Sequence, residues 1–227
     1  MIPLRDTQPS YSTPLVTLAL IVVNSVIFFR QVSLDEFSLN HLIAVYGMTP
    51  ARFEWGQADQ AMTLFTSMFL HGGWLHLLSN MWFLWIYGDN VEDILGRARY
   101  LLFYVLCGLA AAVTHLVFNY DSRVPTIGAS GAISGVMGAY LVKFPHSRIV
   151  TLIFFGLLFT VEVPAVLILA YWFLIQLFSG IGTVGYSNLQ QGGVAWFAHV
   201  GGFLAGMILI LVFPTRERYR RRQDYRW

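Results

Sequence analysis

Six apolar stretches, nearly empty of charge, dominate this chain: residues 14–29, 66–87, 100–118, 130–144, 164–178 and 194–213. A segment crosses a bilayer with about 20 apolar residues, or fewer where protein flanks it. A further apolar run, 149–160, is too short to cross. Only 11% of residues are charged, against about 25% in a typical soluble domain. That is too little to solvate a globular surface, and the mean hydropathy of +0.61 agrees. Disorder and a coiled coil are excluded. So is a disulfide framework, since Cys107 is the single cysteine. A net charge of +2 is too mild to imply a nucleic-acid partner. The expected fold is an all-α membrane protein, one domain over 1–227, in contact with the lipid bilayer.

Charge sets the direction. No small-residue cleavage site follows the first run; Arg30 and Gln31 do, so a retained helix is expected rather than a signal peptide. Six spans place both termini on one side, and the tail at 214–227, with Arg216, Arg218, Arg220, Arg221, Arg222 and Arg226, marks that side as cytoplasmic. Arg5, Arg97, Arg99, Lys143 and Arg148 then also face the cytoplasm, leaving Arg30, Arg52 and Arg123 outside. A seventh span at 149–160 would put Lys143 and Arg148 on the wrong side. The long segment 31–65 falls outside, between the first two spans. Its mixture of Leu42, Ile43, Tyr46, Phe53 and Trp55 with polar residues suits a loop in the membrane interface. No internal repeat is visible, which counts against repeat-built transporters.

Polar residues inside spans are functional suspects. The second run holds His71, His76 and Asn80; His76 and Asn80, four apart, share a helix face. The fourth begins Gly128-Ala129-Ser130-Gly131, and the sixth carries His199 followed by Gly201 and Gly202. Each has a plainer use. A His or Asn in a membrane helix often bonds a neighbouring helix. Ser130 can cap its helix. Gly128, Gly131, Gly135, Gly202 and Gly206 suit close helix packing. Taken together they point further. Under the charge-derived topology, spans two, four and six enter from the outer face, so His76, Asn80, Ser130 and His199 share one depth. The fourth helix reaches only about 21 Å at 1.5 Å per residue, against about 30 Å of hydrocarbon. Its start is therefore submerged, and non-helical backbone there must be covered by protein or line a wet cavity.

A serine hydroxyl needs a base to become a nucleophile, and His199 is the natural one. His76 and Asn80 can join first-turn backbone N–H groups in holding an oxyanion. The chain has no His-Glu-x-x-His sequence for a metalloprotease. Its spans lack the paired Asp of an aspartyl protease and the acids of a proton-coupled transporter. Serine hydrolysis is what elimination leaves.

Gly128-Ala129-Ser130-Gly131, Ala198-His199-Val200-Gly201-Gly202, and His71, His76 and Asn80 in sequence resemble the three motifs of the rhomboid family of intramembrane serine proteases. The resemblance covers about 60–213, taken as the catalytic core. It implies a six-helix rhomboid bundle with Ser130 as nucleophile and His199 as base. It implies His76 and Asn80 as oxyanion donors, with His71 in support and no cofactor or metal. Its substrates would be single-pass membrane proteins cut in or near their transmembrane helix. The alternative is a catalytically silent member that binds or escorts membrane clients; such members usually lose the Ser or the His, and both are present here. Two positions depart from the family pattern. Met62-Thr63 stands where many members have Trp-Arg, and Ser134 replaces the aromatic that stacks on the catalytic His in well-known bacterial members. The compact plan suggests a prokaryotic plasma membrane. The glycine-rich segment 180–193 is either a mobile cap over the pocket, moving with the fifth span, or a flexible connector. Oligomeric state and natural substrate are left open.

Overall fold

The computed structural model describes residues 2–155, 157–183 and 195–216. Its helices are α1 (Leu15–Val32), α2 (Glu36–Tyr46), α3 (Ala58–Thr66), α4 (Trp74–Leu95), α5 (Arg97–Phe118), α6 (Ser130–Lys143), α7 (Ala165–Thr183) and α8 (Trp196–Val212). Strands β1 (Ile2–Asp6), β2 (Arg148–Phe155) and β3 (Leu157–Pro164) form one antiparallel sheet in the order β1-β2-β3. Among the described residues, three helices are long and apolar enough to cross a membrane: Leu15–Val32, Arg97–Phe118 and the Ala165–Gly182 part of α7; Trp196–Val212 is apolar but shorter.

The sheet corrects the all-α expectation. Run 149–160 is rich in Val, Ile, Thr and Phe, which favour a pleated surface over a helix. Pairing Arg148 with Pro164 through to Phe155 with Leu157 supplies the backbone bonds that a short apolar segment must find. The segment 31–65 is also more ordered than a loop. It contains α2, capped by Asp35, which accepts the Ser38 N–H at 3.0 Å, and most of α3. The second apolar run turns helical only at Trp74, so His71 lies outside α4. Segment 184–194, most of that glycine-rich cap or connector, and the arginines beyond Arg216 lie outside the described residues.

The core is built around α6, whose residues 131–140 are all buried. Packing against α8 is backbone on backbone. A Cβ at Gly202 would stand 2.0 Å from the Gly131 carbonyl oxygen, and one at Gly206 1.9 Å from that of Gly135. Neither carbonyl can retreat without moving α6. Gly206→Ala is expected to cost about 1–3 kcal/mol by overpacking. Because α6 carries Ser130 and α8 carries His199, a shift of about 1 Å would also lower any reaction needing both by about 100-fold. Thermal unfolding in detergent, with cleavage of a transmembrane peptide alongside, checks both effects.

The far end of α4 carries acids that anchor the chain's start. Pro14 at the head of α1 offers no side-chain cap. Glu92 takes that role from α4, accepting the backbone N–H of Val16 at 3.0 Å and Thr17 at 2.8 Å. Asp93 accepts the Tyr11 N–H at 3.1 Å and the Ser12 hydroxyl. Asp6, on β1, accepts the Tyr140 hydroxyl at 2.5 Å and an Asn90 N–H at 3.0 Å. Burial pushes the Asp6 carboxyl up to about 7; the Tyr140 bond opposes this and the Asp89 charge adds to it. The folded chain thus binds a proton that the unfolded chain releases from the ordinary carboxylate range upward. Its contribution is fully present at low pH and is lost as pH rises toward about 7. The unfolding temperature is expected to drop between about pH 4 and pH 7, and to drop less in Asp6→Asn.

Candidate active site

The chain enters α6 through an extended segment held by backbone bonds. Met48 and Thr126 exchange bonds of 3.2 and 2.7 Å, and the Gly128 N–H donates to the Ser67 carbonyl at 2.9 Å. These cover the non-helical backbone before Ser130, as a submerged helix start requires. Gly128 has φ +128°, a conformation that favours glycine. There is also no room for a side chain. A Cβ there would stand 2.6 Å from His76 Nε2 and 3.7 Å from Asn80 Nδ2.

Ser130 opens α6 but does not cap it. The capping position is Ala129, with no side-chain cap bond. The Ser130 hydroxyl instead lies 2.8 Å from His199 Nε2. The interlocked glycines of α6 and α8 bring these two side chains together from positions 69 residues apart in sequence. His199 is buried and Ser130 half-buried.

On α4, the helical spacing of His76 and Asn80 aims both toward Gly128. The Gly72 N–H donates to His76 Nδ1 at 3.3 Å. A neutral ring accepting at Nδ1 carries its proton on Nε2, the nitrogen facing Gly128. The Asn80 amide nitrogen is buried and has no bond partner among the described residues. Both nitrogens face Gly128, two residues before the serine.

His71 stands at the head of this group. Its backbone is clamped by Gln31 of α1, which accepts the His71 N–H at 3.0 Å and donates to the His71 carbonyl at 3.1 Å. Its ring meets that of His76 edge-on, centroids 5.1 Å apart. Both ring nitrogens are buried. Position 134, where an aromatic was missing, is filled by polar chemistry: the Ser134 hydroxyl donates to the Ser130 carbonyl at 2.6 Å. The aromatic neighbour of His199 comes from another helix, with the Trp172 ring of α7 at 5.8 Å.

Sequence reasoning missed Gln176. Its side-chain oxygen lies 2.6 Å from His199 Nδ1, and the residue is buried. The available signal was a lone amide within the apolar run 164–178. Gln31 and Glu92, at the margins of their runs, were missed for a similar reason: nothing local names their distant partners.

A cavity of about 30 Å³ borders Ser130, lined also by Met48, Met68, Gly108, Gly128 and Ala198. This is about one water's share of liquid volume. A larger crevice of about 550 Å³, between the N-terminal segment and α4, is lined by Asp6, Ser12 and Asp89 and contains none of these site residues. Among the described residues no group of three or more His, Cys, Asp or Glu is placed to hold a metal ion.

Comparison with known proteins gives a consistent picture. A family model described as Rhomboid domain matches residues 58–216. Rhomboid protein 1, mitochondrial, of Saccharomyces cerevisiae is 29% identical over 169 residues, which cover 71% of this chain and 45% of that protein. RHOMBOID-like protein 6, mitochondrial, of Arabidopsis thaliana is 30% identical over 177 residues, covering 74% and 50% respectively. Rhomboid protease GluP of Bacillus subtilis is 32% identical over 143 residues, covering 63% and 24%. The aligned region spans half or less of each of these relatives. Two are mitochondrial by name, so the expectation of a prokaryotic plasma membrane draws no support from them.

Proposed function

The chain belongs to the rhomboid family, and from that premise we propose that it is an intramembrane serine endopeptidase. It cuts transmembrane segments of single-pass membrane proteins. The observation that carries this reading is the 2.8 Å contact between Ser130 Oγ and His199 Nε2. A relative named as a protease adds support.

In this reading His199 Nε2 takes the hydroxyl proton as Ser130 Oγ attacks the scissile carbonyl carbon. The carbonyl oxygen becomes an oxyanion, received by His76 Nε2–H and the Asn80 amide. His199 then gives its proton to the leaving amine, and the acyl-enzyme remains on Ser130. Water, activated by the same imidazole, releases the second product and restores the serine. His71 supports the donors by packing on His76. No cofactor enters any step. The glycines at 128, 131, 135, 202 and 206 hold the geometry. A substrate helix must locally unwind to present its peptide bond to so narrow a cavity.

We read all six apolar helices, α1 and α4–α8, as crossing the bilayer. Both termini and the basic tail then face the cytoplasm, and the site opens on the other side. α6 fits as a short span because other helices surround it.

A serine-directed fluorophosphonate tests the assignment without a known substrate. It is expected to label the wild-type chain and not Ser130→Ala. Equal labelling of both overturns the nucleophile assignment and leaves a client-binding member as the reading.

A further inference from the structure

His199 has two ring nitrogens and one is engaged by Ser130. For Nε2 to accept the serine proton, a neutral ring must carry its own proton on Nδ1. Something must select that tautomer and hold the ring in plane. Hydrolases often assign this to a buried carboxylate, but among the described residues no carboxylate bonds to His199. The group in that position is the Gln176 side-chain oxygen, 2.6 Å from Nδ1. Only an Nδ1–H donor satisfies that oxygen, and only an unprotonated Nε2 accepts from the Ser130 hydroxyl. The Gln176 oxygen selects the Nδ1–H tautomer, and that tautomer leaves Nε2 able to accept from the Ser130 hydroxyl.

Gln176 is itself well placed to hold. It is buried on α7, and an amide in an apolar helix is costly unless bonded. Two flanking aromatics of α7 fix its register against α8. Trp172 lies one turn before it, with its ring 5.8 Å from that of His199, and Phe173 stacks on Phe203 at 4.8 Å. The outer face of α7 is apolar and exposed at Leu167, Tyr171, Leu174 and Phe178. The base is therefore oriented by a helix that stands at the edge of the bundle.

We propose that Gln176 is a positioning residue: it accepts the Nδ1–H of His199 and holds the imidazole in the tautomer and orientation that leave Nε2 facing Ser130. This rests on the reading of Ser130 and His199 as nucleophile and base. A neutral amide does the orienting here, and the competence of the base depends on α7 lying against α8.

The test uses the full chain in detergent micelles or liposomes, with a fluorophosphonate as probe of serine activation. Gln176→Leu keeps the bulk and removes the acceptor. It is expected to label at least about 10-fold more slowly than wild type, the lower end of the loss when an orienting partner of a histidine is removed. Gln176→Glu keeps an acceptor oxygen and is expected to label faster than Gln176→Leu. In wild-type protein with ¹⁵N-labelled histidine, His199 is expected to show protonation at Nδ1. In Gln176→Leu that signature should give way to mixed tautomers. Wild-type labelling by Gln176→Leu, no gain from Gln176→Glu, or an unchanged tautomer pattern overturns the proposal. Ser130→Ala separates the two levels. If it still labels, the underlying reading fails. If it is silent while Gln176→Leu labels like wild type, only the role of Gln176 falls.

Discussion

Ser130→Ala, reconstituted with a single-span substrate peptide bearing small residues at its centre, is expected to cleave at least about 10⁴-fold more slowly than wild type. The size follows from the chemistry. Without the hydroxyl no acyl-enzyme forms, and the remaining donors can only assist direct attack by water. Little structural loss should accompany it. The residue is half-buried, it does not cap α6, and its hydroxyl's recorded bond is to His199. Removing it deletes one oxygen at the edge of a small cavity that can admit a water. An unchanged unfolding temperature with lost cleavage is the expected pair of results. Cleavage at the wild-type rate would refute the nucleophile assignment. His199→Ala should lose a similar factor, and the double variant little more, because the two groups act as one unit.

The second large effect concerns the donors on α4. Asn80→Ala and His76→Ala are each expected to lower kcat by about 100- to 1,000-fold, the usual cost of one oxyanion donor. Their effect on KM should be small, since the donors meet charge that develops only in the transition state. The two differ in their structural consequence. The Asn80 amide nitrogen is buried with no partner among the described residues, so Asn80→Ala breaks no bond there and should leave the fold as stable or more so. His76 accepts the Gly72 N–H and packs on His71. His76→Ala should therefore cost stability as well as rate. A stabilised but nearly inactive Asn80→Ala would be hard to explain if Asn80 served only to pack helices. Wild-type turnover by that variant would remove Asn80 from the oxyanion site.

Much of the site was legible because its residues are expensive where they stand. Ser130, His76, Asn80 and His199 are polar interruptions of apolar runs, and they meet beside Gly128 and the start of α6. The choice between a cap and a nucleophile at Ser130 was not legible. It turned on where one hydroxyl points, and Ala129 proved to hold the capping position. Position 134, read as a departure from the family pattern, was a similar case: the aromatic neighbour of His199 is Trp172 of α7, which nothing at position 134 announces. The run 149–160 was read as too short to cross, yet its pairing with β1 depends on residues far earlier in the sequence, Ile2 with Leu152 and Asp6 with Ile149.

What the sequence by itself determined is whatever solvent and periodicity enforce locally. Scarce charge demands a membrane. Apolar run length sets where five of the six helices start and stop to within about five residues, while α4 is displaced from its run by eight. Small residues at helical spacing announce close contact. What only the tertiary structure decided is which distant polar groups complete one another. Gln176 with His199, Gln31 with His71, and Glu92 with the head of α1 are all satisfied across helices. The physical reason is that a buried donor or acceptor needs a partner but does not specify its address in the chain. In a bundle whose helices approach to backbone contact, that address is set by packing.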